Sequence, residues 1–154
     1  MLAGTKTLTT ILLVDDSILL RAANSAILTR AGYTVLTAGD GEEALQVVRQ
    51  HRPDLVILDL MMPKLGGEQV LQALRKDATT KYIPVIVLTS LYQKNEQRLR
   101  QAGASVFIEK SRLLDKPQGL LDIVEQVLKT PSDRSCAGWP QYRSERDAEV
   151  RLRQ

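Results

Sequence analysis

The sequence predicts an α/β fold with a parallel sheet, on three observations. Short, dense apolar runs rich in β-branched residues recur along the chain. Longer segments with apolar residues at helical spacing lie between them. Gly, Pro and Asp stand where one kind of segment gives way to the other. Strands alternating with helices of this length imply right-handed crossovers and a parallel sheet with helices on both faces.

The elements follow in order. Ile11-Leu12-Leu13-Val14 is the first buried strand, short and bounded by polar residues. Ile18 to Arg30 places Ile18, Ala22, Ala26 and Leu28 at helical spacing, and Gly32 after Ala31 marks its end. Val35-Leu36 gives the second strand. Asp40, with Glu43 three residues on, forms a capping-box pattern ahead of a helix over Gly41 to Gln50 that carries Ala44, Leu45, Val47 and Val48. Pro53 stops that segment before the third strand, Leu55-Val56-Ile57-Leu58. Gly67 to Lys76 carries Val70, Leu71 and Leu74 and is the third helix. Pro84 precedes the fourth strand, Val85-Ile86-Val87-Leu88. Leu91 to Ala102, the most polar of the helical segments, ends at Gly103. Val106-Phe107-Ile108 is the fifth strand. Asp115 and Pro117 open the last helix, over Pro117 to Leu128. Five β-α units predict a three-layer αβα sandwich, a (βα)5 flavodoxin-like fold with strand order 2-1-3-4-5.

Composition agrees and narrows the function classes. At 154 residues the chain holds one full domain, assigned to 1–129. Apolar residues make up 44% and aromatics only 4%, so Leu, Val, Ile and Ala must build the core. Cys136, the single cysteine, excludes an internal disulfide and fits a reducing, cytoplasmic setting. No apolar run approaches a membrane span, and the first ten residues lack an export signal core. The net charge of +3 comes from basic residues mixed with acidic ones, which reads as a solvated surface and not a nucleic-acid patch. Residues 130–154 mix Pro, Gly and Ser with alternating charges and read as a tail or linker, with a further output domain an open possibility.

Ligands of such sheets bind at the carboxyl ends of the strands, near the switch point between strands 1 and 3. There the sequence places Asp15-Asp16, Asp59, Thr89-Ser90 and Glu109-Lys110. Three carboxylates in one crevice repel one another, which raises at least one pKa. A hard divalent cation relieves this, and Mg²⁺ suits one or two direct carboxylates plus waters. Lys110 adds positive charge on the other side, so a phosphoryl group fits between metal and lysine, with the Thr89 hydroxyl donating to a third oxygen. Asp59, on the central strand, is the best candidate for a carboxylate nucleophile. Pro63 and Gly66-Gly67 follow it in what reads as a pliant loop.

These residues resemble the receiver family of bacterial response regulators. The likeness runs from about Thr10 to Lys129 and rests on VDDS at Val14 to Ser17, DLMMP at Asp59 to Pro63 followed by Gly66, LTS at Leu88 to Ser90, and Lys110 three residues after Phe107. The resemblance implies a phosphorelay switch, not an enzyme. Asp59 is its phosphoacceptor, and a histidine kinase or phosphotransfer protein is its donor. Asp16 and Asp59 bind Mg²⁺ directly, Asp15 acts largely through water, and the backbone carbonyl of Met61 completes the protein ligands. Lys110, Thr89 and Ser90 meet the phosphoryl group. Thr89 moves toward it and Phe107 turns inward, reshaping a partner face made by the Leu91 to Ala102 helix, the fifth strand and the last helix. A homodimer is a further partnership left open.

Three features depart from the family pattern or qualify it. Ser111 stands where a proline, often with a cis bond, usually follows the lysine. A non-proline cis bond costs about 2.5–4 kcal/mol, so a trans bond or a strained loop is expected. Ser111 to Lys116 is also longer than usual. Met61 and Leu91, each two residues past a site residue, are apolar where similar proteins control water access, which implies a long-lived acyl phosphate.

Bland readings compete at several positions. Asp15 and Asp16 could cap a helix, and Lys110 could be a surface lysine. His51, the single histidine, reads as a helix-end or surface group. Met61-Met62 reads as loop packing. Two other functions stand as alternatives. A Mg²⁺-dependent phosphatase with an aspartate nucleophile lacks the second Asp two residues on, because Leu60 and Met61 follow Asp59. A dinucleotide-binding enzyme lacks the glycine fingerprint after the first strand.

Overall fold

The computed structural model describes residues 8–62, 65–89, 101, 103–104, 106–110 and 117–129, and for Thr89, Phe107 and Pro117 the backbone alone. Five strands, β1 (Thr10–Val14), β2 (Thr34–Ala38), β3 (Leu55–Asp59), β4 (Val85–Thr89) and β5 (Val106–Glu109), form one sheet in the order β2-β1-β3-β4-β5. Every pairing is parallel. The described helices are α1 (Ile18–Arg30), α2 (Gly41–His51), α3 (Gly67–Lys76) and α4 (Pro117–Lys129).

Side chains of a strand alternate between faces, and two cores result. Leu12, Val14, Val56, Leu58, Val85 and Val87 pack with Ala44 and Val48 of α2 and Val70, Leu71 and Leu74 of α3. Ile11, Leu13, Leu55, Ile57, Ile86, Leu88 and Ile108 pack with Leu28 of α1 and Leu120, Val124 and Val127 of α4. A sheet buried on both faces needs apolar residues at successive positions, which explains the unbroken runs in the sequence.

Helix ends obey local chemistry. The Ser17 hydroxyl accepts from the Leu20 N–H and caps α1, so neither Asp15 nor Asp16 is the N-cap. Gly32, at φ 98°, closes α1, with its own N–H on Thr29 O and the Tyr33 N–H on Leu28 O. Tyr33 packs into the same core as Leu28, which adds an apolar contact to that stop. Asp40 Oδ1 accepts from the Glu43 N–H as the pattern predicts, but Glu43 Oε2 reaches back one residue further, to the Gly39 N–H. The predicted Leu91 to Ala102 helix falls outside the described residues except for Gln101, which is helical. Gly103 has the left-handed φ of 104° expected at its end.

Arg75, near the end of α3, ties two connecting segments together through three carbonyls. Its Nε donates to Gly103 O at 2.9 Å, and its Nη1 to Lys81 O at 3.0 Å and Ile83 O at 2.6 Å. A Cβ at position 103 would stand 2.7 Å from Arg75 Nε, so glycine is required there on two counts.

Candidate functional site

Parallel register brings the predicted residues level. Val14 pairs with Leu58, Asp59 with Leu88, and Thr89 with Glu109. Asp15, Asp59 and Lys110 therefore stand at the same edge of the sheet. Asp15 and Asp59 are buried and Asp16 is exposed. Carboxylate oxygens of all three lie within 4.8 Å of one another. Lys110 Nζ stands 3.0 Å from Asp59 Oδ2 and 3.5 Å from Asp15 Oδ2.

The other oxygens are held by the main chain. Asp15 Oδ1 accepts from the Ser17 N–H at 2.9 Å, and Asp59 Oδ1 from the Met61 N–H at 3.2 Å. The buried Oδ2 atoms of both, apart from the Lys110 ammonium beside them, meet no donor among the described residues. Among the described residues, one ammonium pairs with two of the three carboxylates. The cluster keeps excess negative charge and unsatisfied acceptor capacity, which a hard cation with oxygen ligands fits.

Burial is the main influence on Asp59 and pushes its pKa from 3.8 up to about 6. Lys110 pulls the other way through its hydrogen bond and charge, Asp15 pushes up, and the Met61 N–H pulls down.

Of the two readings of Gly67, the structure keeps one: it is the first residue of α3, as the helical segment Gly67 to Lys76 predicts, and not part of a pliant loop, and a Cβ there would come within 2.4 Å of Asp59 O. Pro63 lies outside the described residues. Met62 packs against the α2–α3 core, whereas Met61 is 57% exposed beside the site and is not packed as predicted. Thr89 and Phe107 occupy β4 and β5, and their side chains, with Ser90, Leu91 and Ser111, lie outside the described residues. His51 is the exposed last residue of α2. One residue near the site had no sequence signal. Arg21, read only as part of a helix, donates from Nη1 to Asp15 O at 2.7 Å.

A family model described as the response regulator receiver domain matches residues 11–125. The chain belongs to this family. Receiver domains are signalling regulators of two-component systems. The receiver domain is similar to Vibrio cholerae chemotaxis response regulator CheY4, at 34% identity and a TM-score of 0.72 over 79% of this chain and 99% of that one. It is 34% identical to the polar-differentiation response regulator DivK of Brucella anthropi over 101 residues, 65% of this chain and 82% of DivK. It is 51% identical over 81 residues to the "Probable transcriptional regulator ycf27" of Cyanophora paradoxa, 53% of this chain and 33% of that protein. The receiver domain thus spans about a third of the ycf27 proteins it matches. Among the described residues, no helix is long and apolar enough to cross a membrane.

Proposed function

We propose that this receiver domain is a phosphorylation switch in which Asp59 takes a phosphoryl group from a histidine kinase or phosphotransfer protein. The observation that carries the reading is the Lys110 ammonium bridging Asp59 and Asp15, with Asp16 completing a cluster of three carboxylates. Asp59, Asp16 and, through water, Asp15 would hold Mg²⁺, with the Met61 carbonyl as a fourth protein ligand. When bound, the ion offsets negative charge on the transferring group.

In the transfer, an Asp59 carboxylate oxygen forms the new P–O bond as the P–N bond to the donor's imidazole breaks. The electron pair of that bond returns to the imidazole nitrogen. Asp59 must be ionised to attack, which a pKa of about 6 allows at neutral pH. Lys110 meets one phosphoryl oxygen, and the Thr89 and Ser90 hydroxyls the others. Lys110 is released from Asp59 as the phosphoryl group arrives, and Thr89 and Phe107 rearrange. The partner face over residues 91–102, β5 and α4 changes with them, a two-state element biased by a local charge. The switch domain is 1–129, with 130–154 a tail or linker, and it acts through protein contacts in the cytoplasm.

Incubation with Mg²⁺ and acetyl phosphate, followed by intact mass, tests this. Wild type should gain one phosphoryl group, and Asp59→Asn should gain none. Equal gain in both, or none in either with the fold intact, refutes Asp59 as acceptor under these conditions. The comparisons lend the phosphatase alternative no support.

A further inference from the structure

Asp15 is locked on three sides. Its N–H donates to Ala38 O, its Oδ1 accepts from the Ser17 N–H, and its carbonyl accepts from Arg21 Nη1 at 2.7 Å. Asp15 is fully buried, so that carbonyl is buried too. The same carbonyl belongs to the peptide joining Asp15 to Asp16, and holding its oxygen fixes the plane from which Asp16 extends. Asp16 is exposed, yet its carboxylate stands with those of Asp15 and Asp59. Position 39 leaves room for the contact. A Cβ on Gly39 would stand 2.9 Å from Arg21 Nη1 and 3.7 Å from its Cζ. Gly39 has no positive φ that would itself demand glycine.

We propose that Arg21 is a positioning residue: its guanidinium clamps the Asp15–Asp16 peptide and so aims Asp16 into the cation site, with Gly39 kept small to admit it. The inference rests on the cation reading of the acidic cluster given above. Arg21 touches neither cation nor phosphoryl group in this role. Its positive charge alone would weaken cation binding, so a position effect and a charge effect have opposite signs. Because Arg21 is partly exposed, solvent screens the charge effect, and position is the larger of the two.

The test is an Mg²⁺ titration of the full chain followed by backbone amide NMR shifts, with thermal melts in EDTA. Arg21→Gln should weaken Mg²⁺ binding at least fivefold with a native, dispersed spectrum, and Arg21→Lys should recover much of that loss. Gly39→Ala keeps the charge but displaces the guanidinium, and should weaken binding by a similar factor. The double variant Arg21→Gln with Gly39→Ala should lose no more than either alone. Wild-type or tighter affinity in Arg21→Gln, or wild-type affinity in a natively folded Gly39→Ala, overturns the proposal while leaving the switch reading intact. Absence of saturable shifts in the wild type overturns the cation reading, and this inference with it.

Discussion

Lys110 Nζ lies 3.0 Å from Asp59 Oδ2, so the proposed nucleophile is already paired with the cation proposed to meet the phosphoryl oxygens. Lys110 is 21% exposed and Asp59 is buried, so the pair sits at the mouth of the site and not in the deep core.

Removing the ammonium has a signed consequence. Lys110 lowers the Asp59 pKa by both hydrogen bond and charge. Lys110→Met should therefore raise it above about 6 in metal-free protein, read by carboxyl ¹³C shifts against pH. The variant should also lose on the order of 2 kcal/mol at pH 8. That is less than a fully buried pair would cost, because water reaches Lys110. An unchanged or lower pKa would show that the ammonium does not act on Asp59 in solution.

The same carboxyl makes metal-free stability depend on pH. Its folded pKa lies above the unfolded value, so the folded state binds the extra proton. Stability from this group is present below 3.8 and is lost as pH rises through about 6. Asp59→Asn, which imitates the neutral form, should be more stable than wild type in EDTA at pH 7.5. The gain is up to about 3 kcal/mol, from roughly 1.4 kcal/mol per pKa unit. The two proteins should converge near pH 4, and Mg²⁺ should close the gap at pH 7.5 for wild type. Urea unfolding at both pH values checks each point.

Met61 stands exposed two residues beyond Asp59. On the proposed acyl phosphate of Asp59, an apolar side chain there would hinder the approach of water. The phosphorylated protein should persist for minutes or longer with Mg²⁺, and Met61→Asn should shorten that time severalfold. A wild-type half-life of seconds, from timed intact-mass samples, would refute the shielding role.

Arg75 is a structural clasp. Truncating it removes a charged donor from three carbonyls at once. Arg75→Ala should cost about 2–4 kcal/mol and lower the urea midpoint by about 1 M or more at unchanged slope. The proposed acceptor Asp59 should still take up a phosphoryl group from acetyl phosphate at low temperature.

Much of this was legible in the chain because parallel sheets leave a strong imprint. Leu55 to Leu58 is apolar at every position because both faces of β3 are covered, and the same logic revealed β1 and β4. Asp15, Asp59 and Lys110 stood out because charged residues end strands that are otherwise apolar. What stayed hidden depends on contacts between distant residues. Nothing around Arg21 announces a bond to a carbonyl six residues back, since an arginine on a helix is ordinarily a surface residue. Gly67 was legible as a helix start, but sequence cannot show that Asp59 O will lie against it. Met61 and Met62 are chemically alike, yet one packs and the other faces solvent, a choice made by the fold of the segment after β3.

The contact between Gly67 and the Asp59 carbonyl has a mechanical meaning. α3 sits directly on the Asp59 peptide, with no space for even a methyl group between them. On that side the strand end has a hard stop. Any shift of the Asp59 peptide toward α3 would have to carry Gly67, and with it the first turn of that helix, along.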